Sequence, residues 1–192
     1  ILRLLPIARQ LRVRGSEILF VVKDAGIAGE MLSPEGFAFV LVPQLPGNLK
    51  RPDRIISSYG DILASRGFAS RELFDQVAEG WREIFDAFGP DAVVLDHSPS
   101  ALVAARLSGI PSANIGTGFE IPPHVSVFPC FRPWENVSQL ALRRNEAAIL
   151  FNVNSLFQER RGCEYARLSD ALRADEGLLL TFGGVDPYPP RA

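Results

Sequence analysis

The sequence predicts an α/β fold in which a doubly wound, parallel, Rossmann-like sheet is covered by helices on both faces. Two observations lead to this prediction: short, continuously apolar segments typical of buried parallel strands, and amphipathic helical segments that alternate with them. Because neighbouring parallel strands need a crossover connection, this alternation favours a parallel sheet over a sandwich or a helical bundle.

Five apolar runs predict the strands. They lie at residues 17–23, 37–42, 92–97, 111–118 and 177–182. Valine, isoleucine, leucine and phenylalanine are frequent in all of these runs except the one at residues 111–118, and glycine, proline or a polar residue closes each of them. Ligands of doubly wound sheets bind beyond the carboxyl ends of the strands. Functional residues are therefore expected to follow Lys23, Val42, Leu95, Ile115 and Phe182.

The clearest helical pattern begins at Ser70, an expected N-cap, and stops at Gly89 and Pro90. Its predicted apolar face consists of Leu73, Val77, Trp81, Ile84, Phe85 and Phe88. Further helices are predicted for the opening segment up to Gly15 and for residues 27–32, 53–65, 98–108 and 135–174, with a long loop at residues 43–54.

Composition narrows the classes of partner. The chain has 192 residues, with 20 basic and 22 acidic side chains and a net charge of −2. This balance argues against a nucleic-acid or anionic-membrane partner recognised through charge, and leaves small molecules open. No apolar run approaches the roughly 20 residues that span a bilayer, and the start shows no signal-peptide pattern, so a cytoplasmic location is expected.

Metal and disulfide chemistry are not expected. Cys130 and Cys163 lack CxxC spacing, and His97 and His124 are the two histidines of the sequence. A nucleophilic serine is not expected either, because no GxSxG motif is present. The turn at residues 116–120 carries glycines but no phosphate-binding motif, so a tight turn and a backbone contact with a ligand both stay open.

Asp96, His97 and Ser98 form the sharpest local signal, because they follow a predicted buried strand. In one interpretation Asp96 orients a catalytic base or His97 acts as one, since a carboxylate hydrogen-bonded to an imidazole fixes its tautomer. In the other, Asp96 and Ser98 cap the next helix. Adjacent strand residues point to opposite faces, so Asp96 and His97 are not expected to pair with each other. The loop at residues 119–134, rich in proline and aromatic residues, is interpreted as an ordered wall of a pocket.

Three segments together resemble a known family: LLPIARQLRVRGSEILFVVKD, PDAVVLDHSPSALVAARLSGIPSANIGTGF and FRPW. Their order and spacing are similar to the N-terminal, acceptor-side domain of GT-B glycosyltransferases of the UDP-glucuronosyl and macrolide type. The resemblance spans most of residues 1–134 and is weaker beyond Glu135. It implies that residues 1–182 form an acceptor-side Rossmann-like lobe and that residues 183–192 begin an interdomain linker.

The resemblance also implies a function. The intact parent would move a sugar, with inversion, from a nucleotide-diphosphate donor such as a UDP-sugar to a hydroxyl of a small, largely apolar acceptor. Asp96 matches the family's aspartate that orients the catalytic histidine. That histidine, in a Gly-His turn, would fall immediately before Ile1. Candidate acceptor-binding residues are His97, Ser98, Phe119, Glu120 and Trp134.

Relative to the family pattern, the 192 residues lack the first strand, the Gly-His turn and the C-terminal donor domain. The chain alone is therefore expected to be inactive and to hold no cofactor, with the nucleotide sugar bound by a donor lobe on another segment or a separate chain. The alternative is a non-catalytic, single-lobe protein that binds a small apolar ligand or a partner protein. Self-association through an exposed sheet edge is also expected.

Overall fold

The computed structural model describes residues 1–44, 56–132 and 134–188. Most of the predicted loop at residues 43–54, the start of the predicted helix at residues 53–65 and residues 189–192 of the predicted linker lie outside these ranges. Within them, no helix is long and apolar enough to cross a membrane.

Five short strands pair in parallel: β1 (Leu19–Val22), β2 (Ala38–Leu41), β3 (Val93–Leu95), β4 (Ser112–Gly116) and β5 (Glu176–Leu179). Across the described ranges they form two hydrogen-bonded sheets, one of β1 and β2 and one in the order β3-β4-β5. The predicted α/β class and parallel pairing are confirmed. The strands form two sheets rather than one continuous sheet, and an apolar cavity lies between β1 and β3.

Seven α-helices are described: α1 (Leu5–Val13), α2 (Ala25–Leu32), α3 (Tyr59–Leu63), α4 (Arg71–Phe88), α5 (Pro99–Ser108), α6 (Gln139–Arg161) and α7 (Leu168–Ala171). The predicted helix at residues 135–174 is thus two helices, because the backbone leaves α6 at Gly162 with φ 64°. This left-handed conformation ends a helix and favours glycine.

Helix α4 follows its predicted pattern closely. Ser70 accepts a hydrogen bond from the Leu73 N–H, and Gly89 ends the helix with φ 66°. One detail of the predicted apolar face is wrong: Phe74 is 2% exposed, whereas Leu73 is half-buried. The 18-residue helix therefore turns a slightly different stripe towards the core.

Helices cover both faces of the first sheet, as a doubly wound fold requires. On one face, Phe20 and Val22 pack in a cluster with Leu5 and Ala8 of α1. On the other, Val21 packs in a cluster with α4 and α5, which also covers Leu95 of β3. A third cluster joins α3, α4, α5, α6 and α7. Alternation along β1 thus places successive side chains in two different helical layers.

Candidate functional site

The carboxyl end of β3 carries the residues that the sequence singled out. After Leu95 the backbone turns at His97, which has φ 49°, a left-handed value uncommon for a residue other than glycine. Ser98 then precedes α5, whose first residue is Pro99. Proline is common at the first position of a helix, because the N–H that it lacks would have no partner within the helix there. The backbone at His97 is therefore strained, and strained backbone of this kind is often found at functional sites.

Asp96 pairs with Arg3, which lies just before α1. The Nη1 atom of Arg3 donates to Asp96 Oδ1 at 2.5 Å and to Glu120 Oε2 at 2.7 Å. Both carboxylates are partly buried, with side chains 23% and 20% exposed. The Ser98 side chain makes no capping hydrogen bond to α5. The carboxylate of Asp96 therefore contacts the start of the chain rather than serving only as a helix cap.

Several hydrogen bonds, from Arg3 and Thr117, fix the carboxylate of Glu120. Burial raises the pKa of Glu120, but hydrogen bonds from the backbone and side chain of Thr117 and from Arg3 outweigh it, and the net pKa is lowered. The Thr117 N–H donates to Glu120 Oε2 at 2.6 Å. The pKa of Arg3 is correspondingly raised, chiefly by its hydrogen bond to Glu120. Glu120 is thus ionised and fixed on the turn after β4.

The His97 ring lies between aromatic side chains. Its centroid is 6.0 Å from that of Tyr59 and 6.3 Å from that of Phe119, which in turn packs edge-on against Phe131 at 5.4 Å. Burial lowers the pKa of His97, and Lys23 adds to the effect while Glu120 opposes it. The imidazole is therefore neutral at pH 7, with one nitrogen as donor and the other as acceptor.

A cavity of about 640 Å³ opens beside His97, at the carboxyl ends of β3 and β4. Its walls include Tyr59, His97, Asn114 and Glu120, together with residues of α5, α7 and β5. Two buried polar atoms on these walls, His97 Nε2 and Asn114 Oδ1, have no hydrogen-bond partner among the described residues. Because leaving such atoms unpaired costs about 1–3 kcal/mol each, they are suited to a ligand that hydrogen-bonds.

The structure brings most of the predicted site residues together. Asp96, His97 and Ser98 lie at one strand end, and Glu120 reaches the same place through Arg3. Phe119 contacts the His97 ring and is 37% exposed. Trp134 is set apart: it is 75% exposed and does not line the cavity. His124, on the cavity wall, is hydrogen-bonded to Asp170.

Sequence reasoning missed Arg3 and Asn114. Nothing local distinguishes Arg3, because its partners lie 93 and 117 residues further along the chain. Asn114 had a signal, since it is a polar residue in the middle of β4. A buried amide within a strand needs a partner, and this need would have identified it.

Residues 183–188 return to the same region. The structure has Tyr188 buried, and a β-carbon added at Gly118 would meet Asp186 Oδ1 at 2.3 Å. The absence of a side chain at Gly118 therefore allows the segment to pack against the turn after β4. Among the residues with described placement, no group of three or more His, Cys, Asp or Glu is arranged to hold a metal ion.

Fold and site together define a Rossmann-like α/β lobe with a ligand-sized cavity at the carboxyl ends of its parallel strands. No protein-family model matches the chain, and no curated protein matches it. Among solved structures it is similar to the Streptomyces sp. SF2575 glycosyltransferase SsfS6. With the thymidine diphosphate complex it shares 17% identity over 81% of this chain, at a TM-score of 0.45.

A second crystal structure of SsfS6 gives 16% identity over 93% of the chain, at a TM-score of 0.47. The chain spans 40% and 44% of the lengths of these two neighbours. Likenesses of this size carry no argument about function.

Proposed function

We propose that the chain is the acceptor-side lobe of a GT-B glycosyltransferase of the UDP-glucuronosyl and macrolide type. The intact parent, which we place in the cytoplasm, transfers a sugar with inversion from a nucleotide-diphosphate donor to a hydroxyl of a small, largely apolar acceptor. A donor lobe, on a further segment or a separate chain, supplies the nucleotide-sugar site. Three resembling sequence segments support this proposal, as does the position of the site at the strand ends.

The proposal depends on one observation: the cavity beside His97 combines an aromatic wall with two buried polar atoms that lack hydrogen-bond partners among the described residues. Tyr59 and Phe119 flank the His97 ring. His97 and Asn114 both line the cavity, and their buried Nε2 and Oδ1 atoms have no hydrogen-bond partner among the described residues. An apolar acceptor packs on the rings, and its hydroxyl satisfies one or both polar atoms. Such a site rejects an analogue without the hydroxyl, because the polar atoms are then left buried and unpaired.

Asp96 takes the role of positioning residue in this proposal. A histidine joined directly ahead of Ile1 would lie near it, because Ile1 and Asp96 line the same cavity and Arg3 already contacts the carboxylate. A carboxylate beside an imidazole stabilises the charged ring as it takes the proton of the acceptor hydroxyl. Ser98 and Glu120 complete the polar rim, whereas Trp134, which is exposed and does not line the cavity, is not part of the proposed site.

Acceptor binding is tested with a matched pair of ligands, 7-hydroxycoumarin and coumarin, which differ by one hydroxyl. The 192-residue chain is expected to bind 7-hydroxycoumarin about tenfold more tightly, as one satisfied buried polar group implies. N114L should bring the two affinities together, whereas the exposed-site variant C163S should not change them. Equal affinities for the unaltered chain would contradict the proposed acceptor site.

Transfer is tested after joining Gly-His ahead of Ile1 and a nucleotide-sugar-binding lobe after Ala192. Sugar transfer from UDP-glucose or TDP-glucose to 7-hydroxycoumarin is expected, and D96N should lower kcat with little change in KM, because the carboxylate acts on the histidine. Transfer to none of a panel of hydroxyl-bearing acceptors, by a chain that still binds them, would refute the enzymatic part.

One observation favours the non-catalytic alternative. Arg3 contacts both Asp96, at 2.5 Å, and Glu120, at 2.7 Å, so the Asp96 carboxylate already has a cationic partner among the described residues. A ligand-binding lobe without turnover needs no free aspartate. This alternative predicts that R3M leaves ligand affinity unchanged and that the joined, histidine-bearing chain binds acceptor but transfers no sugar.

A further inference from the structure

The cavity of about 640 Å³ beside His97, which we name the strand-end cavity, carries hydrogen-bonding side chains on several of its walls. They come from elements that are distant in sequence: Tyr59 of α3, Asn114 of β4, His124 of the loop after β4 and Ser169 of α7. A ligand with a single hydroxyl uses one or two of these groups. The cavity is therefore suited to a ligand that has hydrogen-bonding groups on several sides.

Tyr59 is the most informative of these residues. It is 3% exposed, and its ring centroid lies 5.2 Å from that of Phe128 and 6.0 Å from that of His97. Its hydroxyl makes no hydrogen bond to a described residue. Burial raises the pKa of Tyr59, with smaller contributions from Tyr188 and Glu120, so the hydroxyl is neutral and can both donate and accept. Because a buried tyrosine hydroxyl normally has a partner, and Tyr59 lines the cavity, a ligand hydroxyl is its expected partner.

Asn114 offers hydrogen bonds from another wall. It lies in β4 opposite Leu95 of β3, and its Oδ1 atom is buried without a hydrogen-bond partner among the described residues. A side-chain amide has two donors and an acceptor, so Asn114 can contact two neighbouring hydroxyls of one ligand. Ser169 donates to the Val125 carbonyl at 2.7 Å and keeps its capacity to accept. The walls thus suit groups that both donate and accept, as hydroxyls do.

The charges on the walls disfavour an ionic ligand. Glu120, Asp175 and Glu176 line the cavity, against one arginine among its described wall residues, so a phosphate or carboxylate would meet like charge. Two of the three acids are also unavailable to a cationic ligand, because Glu120 is paired with Arg3 and Asp175 accepts from Ser112 at 2.8 and 2.9 Å. Glu176 is exposed, and an exposed ion pair contributes little. These charges favour a neutral ligand with several hydroxyls.

The same walls carry apolar surface for the carbon atoms of such a ligand. Tyr59, Leu102, Ile121, Pro122 and Leu172 all line the cavity. A sugar ring combines the two properties, because its hydroxyls project around its rim while its C–H groups form apolar faces that pack on aromatic rings. The cavity is larger than one sugar ring, which leaves room for a further part of the same ligand.

We propose that the strand-end cavity binds a neutral sugar ring that belongs to the acceptor, with the Tyr59 hydroxyl and the Asn114 amide as contacts for its hydroxyls. This inference rests on the proposed function, because it takes the ligand of the cavity to be the acceptor. The acceptor is then a glycoside, whose apolar part packs against the aromatic rings. Such a substrate is the product of an earlier glycosyl transfer, so a reaction of that class must supply it.

The test measures the affinity of the 192-residue chain for three related compounds: coumarin, 7-hydroxycoumarin and the 7-O-β-glucoside of 7-hydroxycoumarin. The glucoside is expected to bind about tenfold more tightly than 7-hydroxycoumarin, because it satisfies more than one buried polar group. Isothermal titration calorimetry gives the three dissociation constants. A glucoside that binds no more tightly than 7-hydroxycoumarin would overturn the sugar site.

Y59F removes the hydroxyl and keeps the ring, so it separates the polar contact from the packing. We expect Y59F to lower the affinity for the glucoside about five- to tenfold and to leave the affinity for coumarin unchanged. Y165F is the matched control, because Tyr165 packs against Phe157 and does not line the cavity. It should change neither affinity. Equal glucoside affinities of Y59F and the unaltered chain would contradict the proposed contact.

Saturation-transfer NMR of the glucoside with the unaltered chain tests the same point without a variant. Saturation of the protein signals is expected to reach the sugar protons as strongly as the coumarin protons, because a sugar inside the cavity lies equally close to the protein. Saturation confined to the coumarin protons would overturn the proposal, whatever the affinities.

Two comparisons identify the source of the sugar and separate this inference from the proposed function. Displacement of the glucoside by UDP-glucose at a lower concentration than by methyl β-glucoside would assign the cavity to the sugar of the donor and overturn the acceptor glycoside. Tighter binding of 7-hydroxycoumarin than of coumarin, without a gain for the glucoside, would refute the sugar site and leave the proposed function standing. A gain for the glucoside with equal binding of the other two compounds would support the sugar site and contradict the proposed acceptor site.

Discussion

The guanidinium of Arg3 lies 2.5 Å from the carboxylate of Asp96, at the carboxyl end of β3. The guanidinium lies two residues beyond Ile1 and also contacts Glu120. A single cation thus joins the start of α1 to the strand ends of β3 and β4. Any catalytic role of Asp96 has to operate beside this cation.

We expect R3M to lower the free energy of unfolding at pH 7 by about 1–3 kcal/mol, because two partly buried carboxylates lose their shared partner. Glu120 has a lowered pKa when folded, so its stabilising contribution is present above the unfolded value near 4.5 and is lost as the pH falls through the folded one. Urea unfolding curves at pH 7 and pH 3 should show that the free energy of unfolding lost in R3M is smaller at pH 3. R9M, which breaks the exposed pair with Glu35, is the control and should cost less.

Glu146 provides a second pH dependence, of opposite sign. Burial raises its pKa to about 7, Asp61 adds to the rise, and the Phe128 N–H, which donates to Oε1 at 2.8 Å, opposes it. Since the folded pKa is raised, stability is greatest below the unfolded value near 4.5 and falls as the pH rises to about 7. E146Q should remove this fall and stabilise the protein at pH 8 by roughly 2–3 kcal/mol.

The measurement for Glu146 is a series of urea unfolding curves from pH 4.5 to pH 8. E164Q, at an exposed position, should leave the pH profile unchanged. A profile of E146Q that still falls between pH 4.5 and 7 would show that another group is responsible.

Two glycines within helices should respond oppositely to alanine. At Gly29 in α2 an added β-carbon meets no atom within 4 Å, so G29A should gain about 0.5–1 kcal/mol from helix propensity. At Gly80 in α4 it would lie 2.7 Å from the Pro43 β-carbon, and the resulting clash should make G80A destabilising. Thermal unfolding of both variants decides the comparison, and equal shifts would contradict the close approach of Pro43 to α4.

The expected self-association has a candidate surface on β5 and the residues after it. Leu178, Leu180 and Phe182 are 52%, 52% and 82% exposed at the edge of the second sheet. Sedimentation of the chain should show concentration-dependent dimers, which L180K with F182K should abolish. F151K removes an apolar side chain of similar exposure from α6 and should leave the dimers intact. A monomer at all concentrations would contradict this surface.

Much of the fold followed from local pattern. Ser70 and Gly89 bound α4 as predicted, because a cap and a left-handed glycine act within one helical turn. The division of the helix at Gly162 was missed, since the apolar pattern resumes at Leu168. The gap between β1 and β3 was not predictable from either strand, because strand order depends on contacts between residues about 70 positions apart.

The site was predictable only in part, for the same reason. Asp96 and His97 were found because they follow an apolar strand, and Glu120 because it lies in the turn after another. The partner of the two acids, Arg3, has no local signature, and the unpaired state of His97 Nε2 depends on surroundings supplied by Tyr59 and Phe119. Long-range contacts of this kind leave no trace in the spacing of residues.

The division of the sheet has a consequence for how the molecule unfolds. Helices α1 and α2 form a core of their own with β1 and β2. This part meets the rest of the molecule through Val21 and Val42 beside α4, and through the contacts of Arg3 with Asp96 and Glu120. Without backbone hydrogen bonds between the two sheets among the described residues, the smaller half is expected to open as a separate cooperative unit, at a lower free energy than global unfolding. The packing of α4 against both units then determines how strongly their unfolding is coupled. Because Trp81 of α4 lies in this contact, its fluorescence should change when the two units separate.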